Sequence, residues 1–375
     1  MDVAVHERTG RTFFGGYGFV DDQRTVATVH AVDTETGRLL WTAAEPVGAS
    51  FIDNVTRVLP APDGRIVYAL GARSIPSSDG VQHYTWRVTA HDAATGQVRW
   101  SWTLPGVVQA LVDDAGLSAD GTTLLVTGYV YTDQDRWQVT ALDTSRGTPR
   151  WTYRSPPHST HSALAVDSAR SLVALAANRS DGSDPSRVET SVRRLTTGRA
   201  VWTTELTTPN AWTLVNDVTF LGDRVVVAGY TVAADAPLLP VQDRATRPLL
   251  AAFGPQGSLL WRSSPPAPAG SATATGLTDA GGRLFAYGEQ DDRALVQPTS
   301  PAGSALVWRI DDTTGGTLWT GSTRGIGDGP NADLGERVVG SVPYGDGVLV
   351  LVRHAAPDAT GVRSPHSYLF QRWAA

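Results

Sequence analysis

The chain has 375 residues, is 41% hydrophobic and 18% charged, and carries a net charge of −6, a globular composition of the wrong sign for a nucleic-acid surface. It holds no cysteine, and all 31 basic residues are arginine, which excludes disulfides, thiolate metal sites, cysteine nucleophiles and lysine Schiff bases. No apolar run approaches the roughly 18 residues that a membrane span needs.

In chain order, Asp2 to Tyr17 reads as a hairpin turning at Thr9-Gly10, and the segment after it sets a pattern. Val29-His30-Ala31-Val32-Asp33-Thr34-Glu35-Thr36-Gly37-Arg38-Leu39-Leu40-Trp41 returns as Val88-Thr89-Ala90-His91-Asp92-Ala93-Ala94-Thr95-Gly96-Gln97-Val98-Arg99-Trp100. A third copy runs from Val139 through Asp143 and Gly147 to Trp151, and weaker copies end at Gly198/Trp202, Gly257/Trp261 and Gly315/Trp319. In all six the glycine stands four residues before the tryptophan, and successive tryptophans are 59, 51, 51, 59 and 58 residues apart. Each copy predicts a strand, a tight turn and a strand. The aspartate and threonine side chains bond the turn's own backbone, the glycine supplies a positive φ, and the tryptophan fills space against a neighbouring unit. Arg194 and Phe253 stand where Asp33, Asp92, Asp143 and Asp311 stand elsewhere, so those two turns need another source of hydrogen bonds.

A second hairpin lies between the copies. Val55 to Leu70 turns at Pro62-Asp63-Gly64, and later versions are punctuated by Ala119-Asp120-Gly121, Ser168-Ala169-Arg170, Gly222-Asp223, Ala280-Gly281-Gly282 and Gly345-Asp346-Gly347. Four strands per ~54 residues, without a long amphipathic helix, predict an all-β fold. The expected architecture is a seven-bladed β-propeller of four-stranded antiparallel blades, with eight blades as the alternative, in one domain spanning 1–375. After the seventh hairpin only Tyr368-Leu369-Phe370-Gln371-Arg372 remains, so the last blade lacks an evident fourth strand. A removed upstream leader, and with it an extracytoplasmic location, is one expectation from that gap; a native start at Met1 would instead mean the cytoplasm.

The Ala/Val-x-Asp-x-x-Thr-Gly-x-x-x-Trp pattern resembles the quinoprotein-like propeller repeat, over residues from about Val26 to Trp319. That family includes pyrroloquinoline-quinone alcohol dehydrogenases and cofactor-free members such as outer-membrane assembly lipoproteins. The quinone site of the former uses an adjacent cysteine pair and a calcium ion. This chain has no cysteine and no Asp-x-Asp-x-Asp-Gly loop, so no quinone, other cofactor or metal is expected. Thr132-Asp133-Gln134-Asp135 and Asp181-Gly182-Ser183-Asp184 could offer oxygens to a hard cation but read better as solvated loop tips.

Propeller geometry places the short hairpin turns of every blade on one face and the longer connections on the other. The long ones run from Arg73 to Thr85, Arg179 to Arg187, Ala233 to Arg247, Glu289 to Gly303, Thr323 to Gly335 and His354 to His366, and long loops on a rigid frame are where function concentrates. On that face, residues just before each first strand are expected to ring a central channel. The candidate ligand-binding residues are Phe51, Asn54, Gln109, His158, Asn210, Trp212, Asn331 and Asp333, and the candidate acid–base residues are His161, Asp53 and Glu336. No Gly-x-Ser-x-Gly elbow is present. Two functions fit. One is a binding or scaffold module, expected to be monomeric, taking a small molecule, glycan or protein on its loop-rich face. The other is a cofactor-independent lyase, cyclase or hydrolase acting through His161, Asp53 and Glu336.

Overall fold

The computed structural model describes residues 2–19, 24–44, 53–75, 83–106, 109–131, 134–180, 186–233, 246–267, 271–291, 304–322, 336–344, 347–354 and 367–373. Apart from one 3-10 turn at Glu7–Thr9, every regular element among them is a β-strand. The first sheet runs β1 (Asp2–His6), β2 (Arg11–Phe19), β3 (Thr25–Asp33) and β4 (Leu39–Ala44), in chain order and antiparallel. The second and third meanders are β5 (Arg57–Pro60), β6 (Ile66–Ile75), β7 (His83–Asp92), β8 (Val98–Thr103) and β9 (Gln109–Leu117), β10 (Thr123–Tyr131), β11 (Asp135–Asp143), β12 (Thr148–Arg154). A single parallel bridge, Tyr84 to Gln109, joins these two into one eight-stranded sheet.

Next come β13 (Ser159–Asp167), β14 (Leu172–Arg179), β15 (Arg187–Arg194), β16 (Ala200–Leu206), then β17 (Ala211–Leu221), β18 (Arg224–Ala233), β19 (Thr246–Phe253), β20 (Leu259–Ser263). β21 (Ser271–Asp279), β22 (Leu284–Asp291), β23 (Ser304–Ile310) and β24 (Thr317–Ser322) form a further four-stranded sheet. The last sheet has three strands among the described residues, β25 (Glu336–Tyr344), β26 (Gly347–His354) and β27 (Ser367–Trp373). The fold is all-β, built of antiparallel four-stranded blades, and its meanders agree with the expected seven. The chain divides into two compact units, Met1–Val173 with Arg193–Arg199, and Ala174–Val192 with Ala200–Ala375.

Burial explains the strand sequences. The second and third strands of a blade are covered on both faces, so Val67 to Ala72 and Leu124 to Val126 read as continuous apolar runs. Fourth strands cover one face only, and β8 alternates exposed and half-buried positions. The core lies between neighbouring blades. In the first unit Phe13, Val29, Val55 and Val67 pack together, as do Leu70, Trp86, Val88, Leu124 and Val126. In the second unit the corresponding clusters are Val226, Leu250, Leu284 and Trp308, and Phe285, Val307, Val348 and Val350.

The repeated turn works as its residues predict. Asp92 Oδ1 accepts the N–H groups of Ala94 and Thr95, both at 3.0 Å, and Asp311 Oδ1 accepts those of Thr313 and Thr314 at 2.9 Å. The two exceptions lack the aspartate bonds: Gly198 N–H bonds the Arg194 carbonyl at 2.8 Å with Arg193 donating to the Gly198 carbonyl at 3.0 Å, and Gly257 N–H bonds the Gly254 carbonyl at 2.9 Å. Just before Trp41, Trp100, Trp151, Trp261 and Trp319 the fourth strand carries a bulge, seen as register shifts at Ala31/Val32, Ala90/His91, Ala141/Leu142, Ala252/Phe253 and Arg309/Ile310. The extra residue turns the indole out of the blade's own sheet.

The indole then lands on the next blade. Trp41 Nε1 donates to the Ala93 carbonyl at 3.1 Å, Trp100 Nε1 to Thr144 at 2.8 Å, Trp151 Nε1 to Leu195 at 2.8 Å and, in the second unit, Trp261 Nε1 to Asp312 at 2.9 Å. Each ring lies against the glycine of that next turn. A β-carbon at Gly96 would meet Trp41 at 2.6 Å, and one at Gly315 would meet Trp261 at 2.5 Å.

Candidate functional site

The first strands are bound to one another by side chains that the sequence does not single out. In the first unit Asp2 Oδ2 accepts the Val58 N–H at 2.9 Å, Asp113 Oδ2 that of Ser162 at 2.9 Å, and Asp114 Oδ2 that of Leu164 at 3.0 Å. In the second unit Asp217 Oδ2 accepts the Leu277 N–H at 2.7 Å, while Asn216 donates to the Ala274 carbonyl at 2.8 Å. Asp113/Asp114 and Asn216/Asp217 occupy matching bulges, at the register shifts opposite Gly128 and Gly229. A bulge places two successive side chains where one would normally stand, which lets both reach the next blade. Asp114 also meets Arg57 of the preceding blade, Nη2 to Oδ1 at 3.4 Å. Burial pushes its carboxyl above the ordinary carboxylate range, and Arg57 acts in the opposite direction.

Asp53 and Asn54 lie just ahead of β5, and their side chains bond the backbone of β6 in the same blade. Asp53 is 2% exposed, and its Oδ1 accepts the Ser74 N–H at 2.9 Å. Its backbone N–H and carbonyl both bond the Thr25 hydroxyl at 3.1 Å. Asn54 Oδ1 accepts the Ala72 N–H at 3.1 Å, and its own N–H donates to the Ala72 carbonyl. The backbones approach so closely that a β-carbon on Gly71 would lie 1.9 Å from the Asn54 carbonyl oxygen. The adjoining cavity, lined by Asp53, Asn54, Arg73, Arg87 and Thr89, measures about 10 Å³, room for one water.

Gln109 and His158 both border the upper rows of the third blade, with Tyr131 and Asp135 between them. Gln109, exposed, opens β9 opposite Tyr131, and Tyr131 in turn stands opposite Asp135, which opens β11. These three share one face of the blade, with Leu111 and Tyr129 in the next row. Thr127, on the same face, bonds Ser162 at 2.8 Å, so this is the face turned towards β13. The Tyr129 hydroxyl donates to Asp135 Oδ1. Burial, and then that bond to the carboxylate, push the phenol well above its usual range. His158, exposed, donates its backbone N–H to the Asp135 carbonyl at 2.7 Å and holds a left-handed φ of 62°. His161 lies on β13, with its side chain outside the described residues.

In the second unit Asn210, at φ 55°, leads into β17, and Trp212 on that strand is 37% exposed. The preceding segment is held by Arg262, which donates to the Thr207 carbonyl at 3.0 Å and to the Thr208 hydroxyl. Glu336 opens β25, with its side chain outside the described residues. Phe51, Asn331 and Asp333 lie outside the described residues altogether, as do Thr132, Asp133 and the loop from Asp181 to Asp184. The sequence reading missed Tyr129, Tyr131, Asp113, Asp114 and Asp217. Tyr129 and Tyr131 are legible only as strand residues, and the bulges that aim the aspartates leave no mark in residue spacing.

The donor set does not fit a quinone–calcium centre. The chain lacks the cysteine pair, and the first-strand carboxylates Asp113, Asp114 and Asp217 are each engaged by a backbone N–H. Among the described residues no three His, Asp or Glu side chains gather as metal ligands, and no helix is long and apolar enough to cross a membrane.

Comparison with curated proteins gave no match by sequence. Among solved structures the chain is similar to the β-propeller domain of the Trilobed protease from Pyrococcus furiosus, described as having an open velcro topology, at 10% identity and a TM-score of 0.51, covering 97% of this chain and 94% of that one. It is also similar to Kuenenia stuttgartiensis hydrazine synthase (13% identity, TM-score 0.56, 94% and 93% covered). A third likeness is to a polysaccharide lyase, the PL25 ulvan lyase (10% identity, TM-score 0.55, 97% and 90% covered). At these identities the likeness shows the β-propeller fold alone. The family model of the outer membrane protein assembly factor BamB matches residues 25–237, more than half of the sequence. The repeat, the blades it builds and this match agree: the chain belongs to the PQQ-type propeller family described by that assembly factor.

Proposed function

We propose that this protein is a non-catalytic binding and scaffold module that takes a protein partner on its loop-rich face. The observation that carries the reading is the engagement of the carboxylates on, or just ahead of, its first strands. Asp2, Asp53, Asp113, Asp114 and Asp217 each accept a backbone N–H. Carboxylates fixed in this way hold a frame, and proton transfer would require them to give up those bonds. The family's namesake is an assembly factor for outer membrane proteins, which favours a polypeptide over a small molecule. The competing reading, a lyase, cyclase or hydrolase using His161, Asp53 and Glu336, is disfavoured by the burial and engagement of Asp53.

Photo-crosslinking tests the proposal. A benzophenone side chain placed at Trp212, or at Phe51, which the sequence pattern assigns to the loop-rich side, should give a discrete adduct with one protein in cells of the source organism. The same group at Glu35 or Ser145, in the short turns, should not. Equal adducts at both sets of positions, or none at either, would overturn the reading.

A further inference from the structure

The edge of the third blade carries a feature that the frame does not need. Tyr131 is 40% exposed and Leu111 is 44% exposed, both on the face turned towards β13. On either side of Tyr131, in one cross-strand row, stand the Gln109 amide and the Asp135 carboxylate. Neighbours in such a row are about 5 Å apart, so the three residues span roughly 10 Å. The Tyr129 hydroxyl fixes the carboxylate by bonding Oδ1, and the backbone N–H of His158, an exposed residue, is fixed to the Asp135 carbonyl. The cost of ordering these groups is therefore met before any ligand arrives.

We propose that this row is a binding site for a neutral saccharide. A pyranose presents an apolar face of C–H groups and a rim of hydroxyls that both donate and accept. The exposed ring of Tyr131, extended by Leu111, matches the face. The amide of Gln109 and the carboxylate of Asp135 match adjacent hydroxyls. Charge argues for a neutral sugar over a phosphate or uronate. The carboxylate is anionic, and the adjacent Arg136 directs its guanidinium to the Ser155 carbonyl at 3.0 Å and to Gln134 at 3.4 Å. Gln109 and His158 are among the residues expected on the loop-rich face, and the saccharide proposal does not rest on the protein-partner reading of that face.

Calorimetric titration of the full chain with cellopentaose, xylopentaose and chitopentaose, and with tetragalacturonate as the anionic control, tests the site. At least one neutral probe should bind with a Kd at or below about 1 mM. Tyr131→Ala should weaken that binding about tenfold or more and Asp135→Asn by a comparable factor, while Tyr131→Phe should retain it, with the thermal midpoint of each variant followed alongside. No binding of any neutral probe, tighter binding of tetragalacturonate, or affinity indifferent to Tyr131→Ala would overturn the proposal. Crosslinking from Phe51 and Trp212 is unaffected by any of these results, so the two proposals fail separately.

Discussion

The indole of Trp100 lies against Gly147 of the following blade, so close that a β-carbon there would sit 2.4 Å from the ring, and its Nε1 donates to the Thr144 carbonyl three residues before that glycine. Gly147 also holds a φ of 69°. Gly147→Ala therefore meets both a left-handed backbone and an occupied space, and should cost about 2–4 kcal/mol. Trp100→Ala should cost about 3–5 kcal/mol through lost packing. Urea denaturation of both single variants and the double variant should give strongly non-additive losses, because the alanine at 147 no longer clashes once the indole is gone.

Asp217→Ala should destabilise the second unit by about 1–3 kcal/mol, since it leaves the Leu277 N–H without the acceptor it has at 2.7 Å. Amide hydrogen exchange at Leu277 should accelerate in this variant, while exchange at Val226 on β18 should follow only the change in global stability.

Asp92 gives a pH signature. Its hydrogen bond to Arg99, Nη2 to Oδ2 at 2.5 Å, is the main cause holding its carboxyl near a pKa of about 2, against the ordinary 3.8. A folded value below the unfolded one means that the contribution is present above about pH 4 and is lost as the pH falls towards 2. The pair is partly exposed, so the contribution should stay below about 1 kcal/mol. Carboxyl-detected NMR titration should find the Asp92 pKa raised in Arg99→Ala, with the acid limb of the stability curve correspondingly flatter.

His158→Gly should raise the thermal midpoint, because glycine takes a φ of 62° without the penalty of about 1 kcal/mol that a side chain bears there. Removing the imidazole should at the same time weaken any ligand held beside Asp135. A gain in stability with a loss in binding would identify the strain as functional.

The repeat was legible because it is local: turn aspartate, glycine and tryptophan lie within one short segment, and their spacing predicts both the hairpin and a tryptophan packed on a neighbour. The target of the indole was not legible, since it depends on a bulge at the residue before Trp100 that only strand pairing reveals. Gln109 and His158 could be placed just ahead of first strands on the loop-rich face from the expected topology. Tyr131 and Asp135 could not be joined to them, because their proximity is a matter of cross-strand register. Asp53 looked chemical because it is acidic and sits ahead of a first strand, but its partner is the backbone of Ser74, which no side-chain pattern announces.

The hand-over of each indole to the turn of its successor means that the unit of cooperativity is offset from the unit of repetition. A fragment cut at the end of a blade, just after Thr103 for example, would keep every strand of that blade yet leave the Trp100 ring facing water and an N–H without its carbonyl. Within each compact unit, order should therefore spread along the chain like a zipper, each blade finished by the arrival of the one after it.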